Sequence, residues 1–295
     1  MSLTRDPAAL AQWYVLGAER DFPLDQPFRT QLLGADIEIT RDATGVTVTA
    51  DGRPLACVVD YGHVWTSFGD LPWRRFALPE AEEADRRWVY CGAVHVRASG
   101  LRLIENFLDL AHFPYVHTDI LGIEEKPEVA RYDVEQRRDV DELWATKCEF
   151  FQPRAAAAAG EGQISKYMYR VTSPFNVMLY KTAPTAPNRW DVIALFVQPK
   201  GEIESVAHPF MLLVDDRSSD AELIQFQQMI FLQDKIVLEN QRPLTLPLQP
   251  GRETPTRADL SSVLYRRWLK EKGLSFGTEP RTDTAAAPGA APVHA

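Results

Sequence analysis

One short segment, from Glu105 to His117, most constrains what this chain can fold into. It reads Glu-Asn-Phe-Leu-Asp-Leu-Ala-His-Phe-Pro-Tyr-Val-His and combines a carboxylate with two imidazoles. On a continuous helix Asp109 and His112 share a face, whereas His112 and His117 point about 140° apart. Pro114 lacks the amide hydrogen of an interior helix bond, so we expect it to bend the chain and bring the imidazoles together. The segment therefore predicts a mononuclear metal site.

A second segment supplies a carboxylate that suits these imidazoles. A facial triad for non-heme iron(II) consists of two imidazoles and one carboxylate, and its opposite face stays open for dioxygen. Asp234 is the best candidate, because apolar residues on its predicted helical stripe point it inward, and a buried carboxylate usually has a cation partner. These apolar residues are Phe226, Ile230, Val237 and Leu238. Glu239 competes for the metal but ranks second, because it lies on a different face of the helix.

Each candidate ligand also has a simpler interpretation. Taken alone, Asp234 could be a solvated carboxylate on a helix. His112 and His117 could be core histidines. Asp109 could cap its helix or bond to nearby backbone. The metal interpretation is favoured because the four side chains occur together in the pattern described above.

Composition narrows the class of protein but not its chemistry. The 295 residues suffice for one large domain or two closely packed ones. A net charge of -9 without a Lys/Arg stripe argues against nucleic acid and anionic membranes as partners. No apolar run is long enough to span a bilayer, and three cysteines without motif spacing argue against a secreted disulfide framework. We therefore expect a cytoplasmic enzyme.

The order of elements predicts an antiparallel sheet followed by long helices. A Ser-Ser-Asp sequence ending at Asp220 predicts the cap of a long helix, and 259–271 a last helix. The low-complexity segment 155–160 predicts a mobile loop, and the Pro-, Ala- and Thr-rich segment 276–295 a disordered tail. Apolar patterns predict strands at 37–40, 46–50, 56–60, 88–96, 129–134, 143–150, 164–171, 176–182, 190–198 and 208–215.

Together these features resemble a known family. The motif Asn-x-x-Asp-x-x-His-x-x-x-x-His, followed over a hundred residues later by Asp-Lys-x-x-x-Glu on a helix, is similar to the catalytic domain of the Rieske non-heme iron oxygenase α subunits. Residues 105–119 resemble most the demethylase branch. Residues 61–70 resemble the segment between the Rieske and catalytic domains, although His63 replaces the usual apolar residue. The resemblance extends from about Trp13 to Lys272.

The resemblance implies an α+β fold. A helix-grip (Bet v 1/START-like) catalytic domain, with an antiparallel sheet around a long C-terminal helix, would occupy 71–275. A truncated Rieske-like β domain without the cluster lobe would precede it over 1–70. A Rieske cluster needs Cys-x-His and Cys-x-x-His, and no cysteine of this chain has a histidine at either offset. We therefore expect no iron–sulfur cluster here, as in family members that receive electrons from a Rieske domain on a partner protein.

The same resemblance implies a reaction. His112, His117 and Asp234 would bind a mononuclear Fe²⁺, Asp109 would pass the electron, and Asn106 would support the site. The implied reaction is oxidative N-demethylation of a methylxanthine-like heterocycle, with N7 favoured and formaldehyde released. Electrons would come from NAD(P)H through a reductase and a Rieske-bearing partner, in a trimeric or hetero-oligomeric assembly. Alternatives are an aryl-ether O-demethylase or hydroxylase subunit, a non-catalytic subunit that stabilises a Rieske-bearing homologue, and a carrier of hydrophobic ligands.

Substrate recognition is predicted from the turns before Asp234. Gln227 and Gln228 offer two amides able to pair with a heterocycle, beside apolar walls. Exposed helix-forming residues would show the same pattern. The other predicted wall residues are Phe231 and Leu232 on the same helix, and Tyr169, Phe175 and Met178 on the strands opposite.

Overall fold

The computed structural model describes residues 2–70, 75–157 and 162–280, which form three antiparallel sheets and several helices. The strands are β1 Tyr14–Ala18, β2 Phe28–Leu32, β3 Ala35–Asp42, β4 Gly45–Ala50, β5 Arg53–Pro54, β6 Ala56–Asp60, β7 His63–Ser67, β8 Arg87–Tyr90, β9 Val94–Val96, β10 Asp133–Arg137, β11 Glu142–Gln152, β12 Gln163–Ser173, β13 Asn176–Ala183, β14 Ala186–Gly201 and β15 Glu204–Leu213. The helices are α1 Pro7–Leu10, α2 Gly100–Leu108, α3 Phe113–Val116, α4 Asp220–Asn240 and α5 Leu260–Glu271, with 3₁₀ turns at Glu19–Asp21, Pro79–Glu82 and Arg257–Asp259.

The N-terminal strands form two small sheets, in the orders β1-β7-β6 and β2-β3-β4-β5. Strand β3 shows why this region folds as a sheet, because Ile37 and Ile39 are buried while Asp36 before them and Glu38 between them are more exposed. The turn before β4 is closed by Asp42, whose carboxylate accepts hydrogen bonds from the amides of Thr44 and Gly45.

The remaining strands form one large sheet in the order β10-β11-β12-β13-β14-β15-β8, with β9 also paired to β15. The strand predicted at 88–96 is two strands, because Gly92 between them has a positive φ of 81° that ends the ladder. The strand predicted at 129–134 begins only at Asp133. In this sheet Tyr169 pairs with both Ala145 and Leu179. Side chains alternate along a strand, so every second residue of β12 lies on the same face of the sheet as Tyr169.

Helix α4 is the long C-terminal helix of the fold. Ser219 and Glu222 close its first turn with a reciprocal capping box, as the Ser-Ser-Asp sequence predicts. Its buried stripe is Leu223, Gln227, Phe231 and Leu238, whereas Val237, predicted on the inward face, is 41% exposed. The prediction of an α+β helix-grip fold, with an antiparallel sheet around a long C-terminal helix, is confirmed.

The N-terminal region is joined to the large sheet through the end of β14. The amides of Leu33 and Gly34 donate hydrogen bonds to the carbonyls of Pro199 and Lys200, both at 2.8 Å. The domain division at residue 70 stays a prediction, because a continuous group of buried apolar residues runs through both regions.

The two predicted disordered segments are only partly described. At the start of the tail predicted over 276–295, Phe276 is 4% exposed and its amide donates to Asp6 at 2.8 Å. Residues 281–295 lie outside the described residues, as do 158–160 of the predicted mobile loop, whereas Ala155 is buried. No helix among the described residues is long and apolar enough to cross a membrane.

Candidate metal centre

The two candidate histidines lie at the ends of a one-turn helix. Helix α2 ends at Leu108, and the extended backbone of the next residue, Asp109 (ψ 124°), turns the chain before His112 is reached. His112 then precedes α3 and His117 follows it, with Pro114 in its first turn. The prediction that Pro114 bends the chain is therefore wrong: proline suits the first helical turn, where its missing N–H has no partner to lose. The chain turns at Asp109 before His112, and His117 follows α3 with a non-helical backbone (φ -114°, ψ 39°). The separation of about 140° on a continuous helix therefore does not apply, and the two imidazoles lie together.

Helix α4 adds the carboxylate to this pair. Oδ1 of Asp234 lies 3.3 Å from Nε2 of His112 and 3.0 Å from Nε2 of His117. The two Nε2 atoms are 3.2 Å apart. The three predicted ligands thus meet in space although α3 and α4 are far apart in the chain.

Hydrogen bonds fix how each imidazole is presented. Nδ1 of His112 lies 3.3 Å from Oδ2 of Asp109, and Nδ1 of His117 lies 2.8 Å from Oε1 of Gln233. Because carboxylate and amide oxygens only accept, each Nδ1 carries the hydrogen. In the neutral, metal-binding form of each imidazole, the Nε2 lone pair therefore points toward Asp234.

The Nε2 atoms of His112 and His117 and Oδ1 of Asp234 thus converge on one point, and such a group of electron-pair donors favours a cation. Oδ1 of Asp234 is buried and accepts no hydrogen bond from the described residues. Burial lowers the pKa of His112, but the carboxylates of Asp109 and Asp234 outweigh it and raise the pKa to about 9. Burial would raise the pKa of Asp234, yet the neighbouring imidazoles hold it below its usual value. The group therefore favours positive charge, supplied by a proton or by a metal ion.

The spacing of these atoms fits a facial triad. First-row metals bind imidazole nitrogen and carboxylate oxygen at about 2.0–2.2 Å, so ligands at right angles lie about 3.0 Å apart. The observed separations of 3.0, 3.2 and 3.3 Å are close to this value. Among the described residues, His112, His117 and Asp234 are the group of three that could hold a metal. Glu239 is directed away, since its carboxylate binds Lys235 and the amide of Arg97.

A cavity extends from the triad between α4 and the large sheet. Asn106 and Phe107 of α2 line its metal end. The wall formed by α4 consists of Leu223, Phe226, Gln227, Ile230 and Phe231, and the sheet contributes Gln152, Tyr167, Tyr169, Leu179, Lys181, Asp191, Ile193, Met211 and Leu213. The cavity is mostly apolar with a few polar groups, which is typical of small-molecule sites.

Two of the predicted substrate residues on α4 reach this cavity and two do not. Gln227 and Phe231 line it and are 8% and 5% exposed. Gln228 lies one residue off the stripe, and its amide donates to the carbonyl of Cys91 at 2.8 Å. Leu232, also one residue off, is 49% exposed. Each step along a helix turns a side chain by about 100°, so Gln228 and Leu232 point away from the cavity.

The strand positions divide in the same way. Tyr169 lines the cavity as expected. Phe175 instead packs against Tyr14, with 5.3 Å between ring centroids. Met178 points to the other face of the sheet and packs in a separate apolar cluster with Trp65. Neighbouring strand residues face opposite sides, and the sequence alone did not show which side α4 covers.

Several polar residues at this site were missed, among them Lys181 and Asp191 on the sheet side of the cavity. Gln233 holds His117, and Gln152 and Tyr167 line the sheet wall. For Tyr167 the signal was its alternation with Tyr169, which places both on one face of a strand. Gln233 and Gln152 offered no local signal, because their contacts depend on how α4 packs on α3 and the sheet.

The fold and site define a helix-grip protein with a centre of two histidines and one carboxylate. A family model described as the vanillate O-demethylase oxygenase C-terminal domain matches residues 96–274. The chain is 46% identical over 268 residues to the probable methylxanthine N7-demethylase NdmC of Pseudomonas sp. (strain TJI-51), covering 90% of this chain and 95% of that protein. It is 26% identical over 181 residues to the methylxanthine N1-demethylase NdmA of Pseudomonas putida, covering 59% of this chain and 47% of that one.

Solved structures agree on the fold. NdmA of Pseudomonas putida CBB5 with caffeine has a TM-score of 0.74 at 17% identity, covering 90% of this chain and 92% of that chain. Dicamba monooxygenase bound to 3,6-dichlorosalicylic acid has a TM-score of 0.71 at 15% identity, covering 90% and 97%. At these identities the likeness concerns the fold alone. From the family model and the 46% identical relative, the chain belongs to the demethylase branch of the Rieske-type non-heme iron oxygenases.

Proposed function

We propose that this chain is an oxygenase subunit that removes a methyl group from a ring nitrogen of a methylxanthine-like heterocycle, with N7 favoured. The observation that carries this proposal is the closed triad of His112, His117 and Asp234 at the end of a mostly apolar cavity. The relative with 46% identity is described as a probable methylxanthine N7-demethylase, which supports the choice of substrate.

The metal that best fits the triad is a mononuclear Fe²⁺. Bound there, it would supply activation of dioxygen with two electrons from outside the chain. The chain's own residues orient the ligands: Asp109 holds the imidazole of His112 and Gln233 that of His117. A non-catalytic subunit would have no need of these oriented ligands, which counts against that alternative.

The cavity would position the substrate methyl group toward the triad. Phe226, Ile230 and Phe231 provide apolar surface that excludes water, and the Gln227 amide can hydrogen-bond a ring carbonyl or N–H. One oxygen atom of dioxygen would enter a methyl C–H bond, and the other would leave as water with the two external electrons and two protons. The resulting N–CH₂–OH group then breaks its C–N bond, and the hydroxyl proton passes to the ring nitrogen. Formaldehyde leaves, and the ring nitrogen keeps a hydrogen.

Electrons would enter from the outer side of the triad. Asp109 and His112 also line a surface groove between α2, α4 and α5, and the side chain of Asp109 is 28% exposed. Oδ1 of Asp109 accepts from the amide of Ala111 at 2.7 Å, which leaves Oδ2 for His112. We assign Asp109 as the bridge to a partner's Rieske cluster, with Asn106 beside it. The donor would be a separate Rieske protein fed from NAD(P)H through a reductase, in a trimeric or hetero-oligomeric assembly.

The test is formaldehyde release from 7-methylxanthine by the iron-loaded protein with a reductase, with and without a Rieske-domain protein. We expect turnover only when the Rieske protein is present. Equal turnover without it would overturn the electron route. Turnover of vanillate but not of methylxanthines would favour the O-demethylase alternative, which the description of the matching family model suggests.

A further inference from the structure

We propose that the sheet wall of the cavity is a second recognition site, in which Gln152, Tyr167 and Tyr169 bind the N–H and C=O edge of the substrate ring. This site would be the determinant that selects heterocycles with unmethylated nitrogens on that edge. The inference rests on the proposed function and deepens it, because it states which methylation pattern the cavity accepts.

The three side chains carry buried polar atoms that no described residue satisfies. Both amide atoms of Gln152 and the hydroxyls of Tyr167 and Tyr169 lack a hydrogen-bond partner. The three residues are only 1–2% exposed. Buried polar groups without partners are costly and rare in natural proteins. Here all three line one cavity, so a ligand in that cavity can supply the missing partners.

The strand geometry groups these atoms on one side of the cavity. Gln152 ends β11, and Tyr167 and Tyr169 lie two residues apart on β12, the strand paired with it. The tyrosine rings are nearly parallel, with centroids 6.3 Å apart. The ring of Phe113 lies 6.4 Å from that of Tyr167 and 5.0 Å from that of His112. One aromatic ring therefore separates the polar wall from the metal ligands.

The other polar side chains near Tyr167 do not satisfy its hydroxyl group. The side chains of Gln152 and Ser165 both lie near the hydroxyl of Tyr167. None of their polar atoms forms a hydrogen bond with good geometry to it, and Oγ of Ser165 is itself buried without a partner. Lys181 lies over the ring of Tyr167 at 5.8 Å and donates to the carbonyl of Ala155. Burial raises the pKa of Tyr167 far above its usual range, so its hydroxyl stays neutral and can donate or accept.

The chemistry of these groups matches an amide-like ring edge. A carboxamide presents one acceptor and one donor side by side, so it can pair with a neighbouring ring N–H and C=O. The pyrimidine part of a xanthine has such an edge only where its nitrogen carries hydrogen. Methylation replaces the donor by a methyl group and leaves the oxygen of Gln152 unpaired. A site built to bind a polar group rejects the analogue that lacks it, because its own buried groups then stay unsatisfied.

The experiment compares two ligands that differ in this edge. Dissociation constants of 7-methylxanthine and 1,3,7-trimethylxanthine are measured without oxygen on the iron-loaded, full-length protein. We expect the wild type to bind 7-methylxanthine roughly 10- to 100-fold more tightly. Gln152→Leu should bring this ratio close to one, and Tyr167→Phe or Tyr169→Phe should lower it less. A ratio that is unchanged in Gln152→Leu overturns the proposal.

A matched control lies on the other face of the same strand. Thr172 also carries a buried hydroxyl without a partner but does not line this cavity, so Thr172→Val should leave the ratio unchanged. Thermal unfolding without ligand gives a second readout. If Gln152 serves a ligand, Gln152→Leu should leave the melting temperature unchanged or raise it. A clear decrease would show that the amide is satisfied inside the protein, which would overturn the proposal.

A second ligand pair separates this inference from the proposed function. Uracil carries the same N–H and C=O edge without the imidazole ring and its methyl group, and 1,3-dimethyluracil is the counterpart whose ring nitrogens are methylated. A preference for uracil that Gln152→Leu removes would support the site even if no methylxanthine were demethylated. Demethylation of 7-methylxanthine without any such preference would leave the proposed function standing and overturn the site.

Discussion

The N-terminal strands and the catalytic cavity contain similar kinds of metal-binding side chains but present them in opposite ways. In the cavity, the Nε2 atoms of His112 and His117 face a carboxylate across about 3 Å. In the N-terminal region, burial raises the pKa of Cys57 to about 11. His63 is also buried there, and its Nδ1 donates to the carbonyl of Tyr61 at 2.8 Å.

This difference shows that residues able to bind a metal form a metal site only when their donor atoms converge. A Rieske cluster needs two thiolates and two imidazoles, and Cys57 is followed by Val59 and Asp60 at the offsets where the motif has a histidine. The ring of His63 lies among those of Tyr90, Phe196 and Phe210, where it acts as an apolar filler. The N-terminal strands thus pack against the large sheet, whereas the candidate metal ligands lie at the cavity.

The largest effect is expected at the triad. His112→Ala or Asp234→Ala removes one of three ligands, so the protein should lose its iron and its turnover should fall on the order of a thousandfold or more. Metal analysis and formaldehyde release measure both effects. Glu239→Ala is the matched control on α4, because Glu239 binds Arg97 and Lys235 instead. Iron retained in both triad variants would contradict the assignment of the centre.

A smaller loss is expected at Asp109. Asp109→Asn keeps the shape of the side chain but removes the charge that orients His112, and partner-driven turnover should fall roughly a hundredfold. Peroxide-driven turnover needs no external electrons and should fall less. Equal losses in the two assays would show that Asp109 supports the iron site. Unchanged partner-driven turnover would make it an ordinary helix-end carboxylate.

The packing role of His63 predicts a dependence of stability on pH. Burial lowers its pKa from 6.5 to about 4. Between these two pH values the unfolded chain binds more protons, so the stability present above pH 6.5 is lost as the pH falls toward 4, by up to about 3 kcal/mol. His63→Leu should reduce this loss in acid unfolding curves, whereas His95→Leu, at an exposed position, should not. Identical acid transitions in wild type and His63→Leu would contradict the prediction.

The role of Gln233 gives an intermediate effect on metal affinity. Gln233→Met removes the acceptor for Nδ1 of His117, and metal affinity should fall roughly 10- to 100-fold. Gln233→Glu keeps an acceptor and should retain most of the affinity. Gln225→Met, at an exposed position of the same helix, is the control. Titration with Co²⁺ measures the affinities, and equal values for Gln233→Met and wild type would leave Gln233 without this role.

The smallest effect is expected in the N-terminal region. Cys57→Ala should leave iron content and the visible spectrum unchanged, because no histidine follows Cys57 at the offsets that a Rieske cluster needs. Metal analysis and absorption spectroscopy of the variant beside wild type test this. Loss of iron or of a visible band would show that the comparison between the two regions is wrong.

The sequence carried enough information for the fold and for the three side chains that the structure brings together at the candidate metal centre. Alternating apolar residues predicted most strands, and the Ser-Ser-Asp cap predicted the start of α4. His112, His117 and Asp234 were found because residue type and spacing are local properties of the chain. The backbone conformation between the two histidines was predicted wrongly, since a proline can either bend a chain or lie in the first turn of a new helix.

Tertiary structure alone decided which residues face the cavity. Gln227 faces it and Gln228 does not, because a rotation of 100° on α4 separates them and only packing sets the rotation. Leu179 faces it and Met178 does not, because the side of the sheet that α4 covers fixes which alternate residues are enclosed. The register of β11 on β12 pairs Gln152 with Gln163, and this pairing places Gln152 on the side of the sheet that carries the two tyrosines. Local pattern thus determined the elements and the metal chemistry, whereas long-range packing selected the side chains that would meet a substrate.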